Sequence, residues 1–319
     1  MNGGLLTMKR LVDVNKISHE EWLKYRKMGI TGTDAGAIVG MNPYKSALQV
    51  FVDKTTDTIE IFDNEAMKQG RDLEEYVAQR FCEATGKKVR RANAIFISDE
   101  HPWMLADFDR LVVGERAGLE CKTVSAYSAD KWKNGAIPLH YQLQCQHYLA
   151  VSGYDCWYIA ALISGREFIV HKIERDEGLI QNLITIEKRF WEQNVLAGIM
   201  PDPDGSKAAD MILAQYFPEK EGLSVFLPQH MEVQLKRREE LVSLINRLET
   251  EKTSIEQEVK KYLGEEEATE AENENFFVRW KSVETSRVDV DKLKKEAPDV
   301  YERFKKTVFS KRLTIKSAA

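Results

Sequence analysis

Residues 105–123 read LADFDRLVVGERAGLECKT, and this stretch decides how the fold is interpreted. Asp109 is followed by ten other residues and then by Glu120, Cys121 and Lys122. Alternate side chains of a β-strand share one face of the sheet. Glu120 and Lys122 are therefore expected to point the same way, with Cys121 pointing into the opposite layer. Asp109 is expected to begin or end a neighbouring strand.

A short turn is expected to bring these side chains together, because Gly114 and Gly118 bracket the segment between the two strands. Two adjacent carboxylates form a hard oxygen site that suits Mg²⁺ or Mn²⁺. A lysine beside them can orient or deprotonate a water molecule and offset phosphate charge. This layout suits metal-assisted phosphodiester hydrolysis. The open alternative is an ordinary solvated strand face that carries an acid and a lysine.

The composition is that of a folded chain of 319 residues, with 43% hydrophobic and 30% charged residues. A net charge of −5 excludes a protein that coats DNA through its overall charge, but it allows a local basic channel. No apolar run approaches the roughly 20 residues of a membrane helix. With no secretory signal at the start, we expect a cytoplasmic protein without a membrane partner. The cysteines lack zinc-site spacing and are expected to be reduced.

Local signals alternate between helix and strand along the first two thirds of the chain. Helices are expected to open near Ser18, Thr33, Asn64, Pro138 and Asp176. Strands are expected within residues 88–97, 104–113, 119–123, 156–163 and 167–173, the last two joined at Ser164-Gly165. A mixed α/β fold follows from this alternation.

The cluster PDPDG at residues 201–205 predicts a domain boundary. We expect a first domain over residues 1–205, a linker over 206–228 and a C-terminal helical module over 229–319. Within the module, a partial coiled-coil stripe recurs every seven residues at Leu241, Leu248, Ile255 and Tyr262. Glu251 and Lys252 interrupt this stripe, so a helical hairpin or a single packed helix remains an open alternative.

Five blocks occur in a defined order along the first domain. They are residues 22–33 (WLKYRKMGITGT), 70–74 (GRDLE), 107–110 (DFDR), 119–123 (LECKT) and 141–148 (YQLQCQHY). This order resembles the YqaJ viral recombinase family, which includes the exonuclease of phage lambda. The resemblance covers roughly residues 20–200 and leaves the last third of the chain outside it.

The resemblance implies the PD-(D/E)xK nuclease fold, a central mixed sheet flanked by helices, here with a helical extension. It also implies a Mg²⁺-dependent deoxyribonuclease, with Mn²⁺ as a substitute, that digests linear double-stranded DNA from 5′ to 3′ and leaves 3′ single-stranded overhangs. The implied partners are DNA ends, a single-strand annealing protein and further copies of the chain. A noncatalytic DNA-binding or recombination-partner module, or a structure-specific endonuclease, remains the alternative on the same fold.

The resemblance also assigns roles to individual residues. Asp109, Glu120 and the Cys121 carbonyl would bind metal, and Lys122 would position the water and the scissile phosphate. Glu74 would touch the site through a second metal or a water. Gln144 would orient the nucleophile. The DNA-binding residues would be Arg26, Thr33 and Tyr141.

Two residues depart from the family pattern. Asp107 replaces a small polar residue, and Arg110 replaces a glycine. An extra carboxylate is unfavourable near a phosphate pocket unless a metal or Arg110 offsets it. For Arg26, the open alternative to phosphate binding is pairing with a surface acid such as Glu21, while Thr33 merely caps its helix.

Overall fold

The computed structural model describes residues 8–57, 64–217, 222–307 and 311–316. The chain forms two compact units, Met1–Pro218 and Glu219–Ala319. Across the described ranges, none of the helices combines the length and the apolar character that crossing a membrane would require.

Eight strands and seven α-helices are described in the first unit. The strands are β1 (Met8–Asp13), β2 (Val89–Arg91), β3 (Ala94–Ser98), β4 (Leu105–Asp107), β5 (Arg110–Val112), β6 (Ala117–Val124), β7 (Cys156–Ile163) and β8 (Glu167–Glu174). The helices are α1 (His19–Lys27), α2 (Gly32–Ile38), α3 (Ala47–Thr55), α4 (Glu65–Thr85), α5 (Leu139–Ser152), α6 (Glu177–Phe190) and α7 (Lys207–Tyr216).

The main sheet has five strands in the order β2-β5-β6-β7-β8. Only one of its pairings, β6 with β7, is parallel, and the others are antiparallel. A second, antiparallel sheet joins β1, β3 and β4. The chain passes from this smaller sheet into the main one between β4 and β5, where Asp109 lies.

The interior strand β7 is buried along its whole length, in keeping with its continuous apolar sequence. On one face of the sheet, Trp157 and Ile159 pack with apolar residues of α5. On the other face, Tyr158 and Ala160 pack with Phe81 and its neighbours on α4. The predicted mixed central sheet flanked by helices is therefore confirmed.

The helix signals of the sequence are largely confirmed. The Asn64 side chain accepts a hydrogen bond from the Met67 amide at the start of α4, and Gly86 ends that helix at φ 69°. Ser18 and Glu21 form a capping box at α1. The helix expected from Asp176 onward is α6, which continues into a π-helical turn at Trp191–Leu196.

The expected cap of the second helix is wrong. Thr33 lies inside α2, and Thr31 is the N-cap residue with extended backbone angles. The Asp34 carboxylate accepts a hydrogen bond of 3.0 Å from the Thr31 amide, which fixes the helix start two residues earlier than expected.

The predicted linker over residues 206–228 contains helix α7. Ser206 caps this helix, and its residues Ala209 and Ile212 are buried against Leu48 of α3. The preceding proline cluster predicts a boundary, but the amphipathic pattern of residues 207–216 forms a helix. The first unit accordingly extends to Pro218 rather than to residue 205.

The second unit begins with the long helix α8 (Gln229–Glu265), as the sequence predicted. A two-stranded antiparallel hairpin follows, formed by β9 (Glu270–Glu272) and β10 (Phe277–Arg279). Two short helices complete it, α9 (Val290–Glu296) and α10 (Pro298–Phe304). The described segment 311–316 forms neither a helix nor a strand.

Candidate active site

Asp109 occupies the break between β4 and β5, directly beside β6. Its Oδ2 accepts a hydrogen bond of 2.8 Å from the backbone amide of Cys121. The antiparallel pairing of β5 with β6 carries the chain back so that Glu120 lies next to Asp109. The bond to Cys121 fixes the Asp109 carboxylate at the position where β6 presents its acidic residue.

One expected feature of the intervening turn is corrected. Gly114 lies in the turn with φ 81°, as expected, but Gly118 is part of β6. A Cβ atom at Gly118 would overlap the indole ring of Trp157 on the neighbouring strand. Gly118 is thus required by the close approach of an aromatic side chain, and not by a turn.

Glu120 and Lys122 point the same way, as the alternation of a strand requires. The Lys122 Nζ atom lies 2.5 Å from Glu120 Oε1. Gln144 of α5 donates its amide to the same carboxylate oxygen at 2.7 Å, and also to the Tyr148 hydroxyl at 2.8 Å. The second oxygen, Glu120 Oε2, is buried and has no hydrogen-bond partner within the part of the chain that the structure describes.

The surroundings of Asp109 and Glu120 disfavour a negative charge on both carboxylates at once. Burial and the charges of Glu120 and Glu74 raise the pKa of Asp109 well above its usual value. Burial, together with the charges of Asp107 and Glu74, raises the pKa of Glu120 despite the opposing attraction of Lys122. Burial opposes the charge of Lys122, but the neighbouring acids raise its pKa. A cation between the carboxylates would relieve their repulsion.

Glu74 of α4 approaches the site through Arg110. The Arg110 guanidinium, which is almost fully buried, forms ion pairs with Glu74 and Glu75. It also donates to the Asp109 carbonyl at 2.7 Å. Arg110 therefore links α4 to the strand that carries Asp109, and it does not offset Asp107 as the sequence suggested.

Arg26 offsets Asp107 instead. Its Nη1 lies 2.7 Å from Asp107 Oδ2, although 81 positions separate the two residues. Its Nη2 donates to the hydroxyls of Thr31 and Thr33, at 3.3 and 3.0 Å. Pairing of Arg26 with Glu21 is therefore wrong, because the Glu21 carboxylate is bonded to Ser18.

A buried charge cluster supports Arg26, and sequence reasoning missed it. Asp34 is 1% exposed and pairs with Lys54 at 2.8 Å and with Lys45 at 3.0 Å. Burial opposes the charge on Asp34, but these two lysines hold its pKa well below the usual value. Lys54 also donates to the Arg26 carbonyl at 2.7 Å, which fastens the end of α1 to α3.

Tyr141 lies beside the lysine. The Lys122 ammonium is 4.8 Å from the centre of the Tyr141 ring, which itself contacts the ring of Trp132. Gln144 and Tyr148 follow Tyr141 along α5, so one side of this helix supplies three of the groups around Glu120.

The oxygen atoms that the site offers fit a divalent cation. Within residues 8–57, 64–217, 222–307 and 311–316, no three His, Cys, Asp or Glu side chains are grouped as a metal site. Two carboxylates, a backbone carbonyl and water or phosphate oxygens are nevertheless a common set for Mg²⁺. The unpartnered Glu120 Oε2 is the observation that fits such an ion.

Comparison with known proteins identifies the family of the chain. The model of the YqaJ-like viral recombinase domain matches residues 21–155. The uncharacterized protein YqaJ of Bacillus subtilis (strain 168) is 37% identical over 321 residues, which cover 98% of this chain and 100% of that protein. The chain belongs to the YqaJ-like viral recombinase family.

Solved structures with some similarity include an alkaline exonuclease from Laribacter hongkongensis, with 24% identity and a TM-score of 0.48. That match covers 56% of this chain and 94% of the other. A phage related exonuclease from Haemophilus somnus 129PT matches with 13% identity and a TM-score of 0.39, covering 56% of this chain and 99% of the other.

The YqaJ-like chain contains one further buried pair that the sequence did not predict. His147 Nδ1 lies 2.9 Å from Glu187 Oε1, and its Nε2 lies 2.9 Å from the Leu105 carbonyl. Both side chains are fully buried. A usable signal was present, since Glu187 shares the apolar face of α6 with Leu183 and Phe190.

Proposed function

We propose that this member of the family is a divalent-metal-dependent deoxyribonuclease. The observation that carries the proposal is the buried Glu120 Oε2, which has no hydrogen-bond partner among the described residues, although Lys122 contacts the other oxygen of Glu120 and Asp109 is bonded to the neighbouring Cys121 amide. A buried polar atom without a partner is costly, and it persists where a ligand completes its environment. A noncatalytic module would not need to retain this arrangement.

In this proposal, Asp109, Glu120 and the Cys121 carbonyl hold the metal. The bound Mg²⁺ or Mn²⁺ would polarise the scissile phosphate and lower the pKa of an attacking water. Lys122 would position that water and the phosphate while compensating their charge. Glu74 would contribute through a second metal or a water.

Gln144 has a defined supporting role. Its amide group donates to Glu120 Oε1 and to the Tyr148 hydroxyl, so the amide is held at two points. We propose that it orients both the Glu120 carboxylate and the nucleophile. Arg26, Thr33 and Tyr141 would contact the DNA, with Arg26 reaching a phosphate beside the Asp107 carboxylate.

The proposed substrate is a linear double-stranded DNA end, digested from 5′ to 3′ to leave 3′ single-stranded overhangs. The order of the five sequence blocks and the membership of the family support this substrate. A single-strand annealing protein would then bind the overhang. The chain would act as a homo-oligomer.

The test compares end-labelled linear DNA with covalently closed circular DNA in the presence of Mg²⁺. Loss of the linear substrate alone is expected. Asp109→Asn and Glu120→Gln are expected to abolish hydrolysis, because each removes an anionic metal ligand without changing the shape of the side chain. Glu83→Gln is the matched control, since Glu83 is an exposed acid on α4.

Near-normal turnover of either ligand variant would contradict the site assignment. Cleavage of the closed circle by the wild-type chain would instead indicate an endonuclease on the same fold. If the wild-type chain digests no DNA, and the wild type and both variants bind DNA equally, the noncatalytic alternative is supported.

A further inference from the structure

Helix α8 carries a seven-residue repeat of mostly apolar residues that the proposed hydrolysis does not use. Two positions of each repeat lie on one side of the helix, and we call these positions the seam. They are Met231, Gln234, Arg238, Leu241, Ile245, Leu248, Lys252, Ile255, Val259 and Tyr262. Seven of these ten side chains are apolar. Apolar residues that recur at this spacing are typical of a coiled-coil contact.

The seam is open in the chain as described. Its apolar residues other than Val259 are between 41% and 57% exposed: Met231, Leu241, Ile245, Leu248, Ile255 and Tyr262. The positions farthest from the seam are Lys236, Ser243, Thr250, Gln257 and Gly264, none of them a large apolar residue. The helix therefore has one apolar side and one polar side, and its apolar side faces solvent.

The charges beside the seam decide which way a second helix can lie. In a parallel pair, Arg238 would face Arg238 of the second copy, and Lys252 would face Lys252. Glu251 would also lie beside Glu256 of the second copy, twice in the pair. Like charges at these distances are destabilising, so a parallel pair is disfavoured.

An antiparallel pair removes these conflicts. When Ile245 of one copy packs against Leu248 of the other, Arg238 faces Ile255 and Lys252 faces Leu241. The same register places Met231 opposite Tyr262, so the two helices overlap along their whole length. Arg237 then lies beside Glu258 of the second copy, twice in the pair, against a single like-charge contact between the two Glu249 side chains.

We propose that α8 is a self-association surface that pairs with α8 of a second copy of this chain as an antiparallel coiled coil. Two features indicate a second copy of α8 as the partner. The seam is complementary to the seam of an antiparallel copy, and Arg237 is complementary in charge to Glu258 of that copy. Arg237 forms a salt bridge with Glu240 of its own helix at 2.7 Å, and both side chains are exposed. The pairing rests on the homo-oligomer of the proposed function, for which it names a contact surface, and it does not depend on nuclease activity.

The first test measures particle mass by light scattering or sedimentation equilibrium on the full chain. Leu248→Glu places a charge at the centre of the seam and is expected to halve the particle mass. Its dimer constant should weaken by at least about 100-fold. Val233→Glu is the matched control, because Val233 is 64% exposed on the same helix but off the seam. Circular dichroism checks that both variants stay helical.

A wild-type chain that is monomeric at micromolar concentration would overturn the proposal. So would a Leu248→Glu chain that is fully helical and keeps the wild-type mass. These readings need no nuclease activity, so they stand apart from the test of the proposed function.

The second test fixes the orientation by charge reversal. Arg237→Glu or Glu258→Arg alone creates two like-charge contacts and is expected to weaken the dimer by about 3- to 10-fold. The double variant restores both pairs in reverse and is expected to regain the wild-type constant. In a parallel pair neither residue faces a charge, so losses that simply add in the double variant would overturn the antiparallel arrangement.

Discussion

The buried pair of His147 and Glu187 supports a quantitative prediction about stability. The Leu105 carbonyl can only accept a hydrogen bond, so His147 Nε2 carries a proton. The carboxylate of Glu187 faces Nδ1 at 2.9 and 3.1 Å, which favours a proton there as well. These contacts favour the charged imidazolium, and the ring ties α5 to α6 and to β4.

His147→Leu would leave the Glu187 charge buried and unpaired. Losing one partner of such a pair costs about 3–5 kcal/mol. That is a large part of the roughly 5–15 kcal/mol that stabilises a typical domain. Replacing both residues, as His147→Leu with Glu187→Leu, removes the uncompensated charge. The double variant is therefore expected to be more stable than His147→Leu alone.

The assay is urea unfolding at pH 6 followed by tryptophan fluorescence, because five of the six tryptophans lie in the first unit. Glu192→Leu is the control, since Glu192 is an exposed acid shortly after Glu187. A loss below about 1 kcal/mol for His147→Leu, or losses that add in the double variant, would refute the reasoning.

The pH dependence has a definite sign. Burial opposes the charge of His147, but the charge and hydrogen bonds of Glu187, the Leu105 carbonyl and the charge of Asp34 raise its pKa. A raised pKa stabilises the folded state fully below about pH 6.5, the usual value for histidine. That stabilisation is lost as the pH rises through the folded-state value. The cost of His147→Leu should therefore shrink from pH 6 towards alkaline pH, and a cost that grows would contradict the assignment.

Three further predictions concern the proposed chemistry. Lys122→Ala is expected to lower turnover by about 10²-fold, with a smaller change in DNA binding by a gel-shift assay; equal losses in both would point to a binding role. Mg²⁺ or Mn²⁺ should support hydrolysis, Ca²⁺ should support it poorly and EDTA should abolish it, and full activity of a metal-free preparation would eliminate the mechanism. Arg26→Ala should slow digestion of 5′-phosphorylated ends more than cleavage at a nick or flap, measured against matched 5′-hydroxyl substrates; equal losses on all substrates would show general binding or folding.

The local signals in the sequence were sufficient for most elements of the first unit. Asn64 and Gly86 mark both ends of α4, and Ser164 with Gly165 marks the hairpin between β7 and β8. These features depend on residues close together in the chain. The alternation that places Glu120 and Lys122 on one face is equally local.

Contacts between residues that are far apart in the sequence could not be predicted from such local signals. Arg26 pairs with Asp107, and Lys54 fastens α1 to α3 at the Arg26 carbonyl. No local pattern connects residues 81 positions apart. The start of α2 was misplaced because two threonines flank Gly32, and only the bond to Asp34 distinguishes them. Helix α7 was missed because a proline cluster outweighed its short amphipathic pattern.

The contact between Gly118 and Trp157 sets the spacing of β6 and β7 from inside the core. Gly118 lies two residues before Glu120, and its missing side chain is what lets the indole ring lie against the backbone of β6. Even a single methyl group at this position would have to move the ring or the strand. Such a movement would displace Glu120 from Asp109. The geometry of the proposed metal site therefore depends on Gly118, a residue that takes no part in the chemistry.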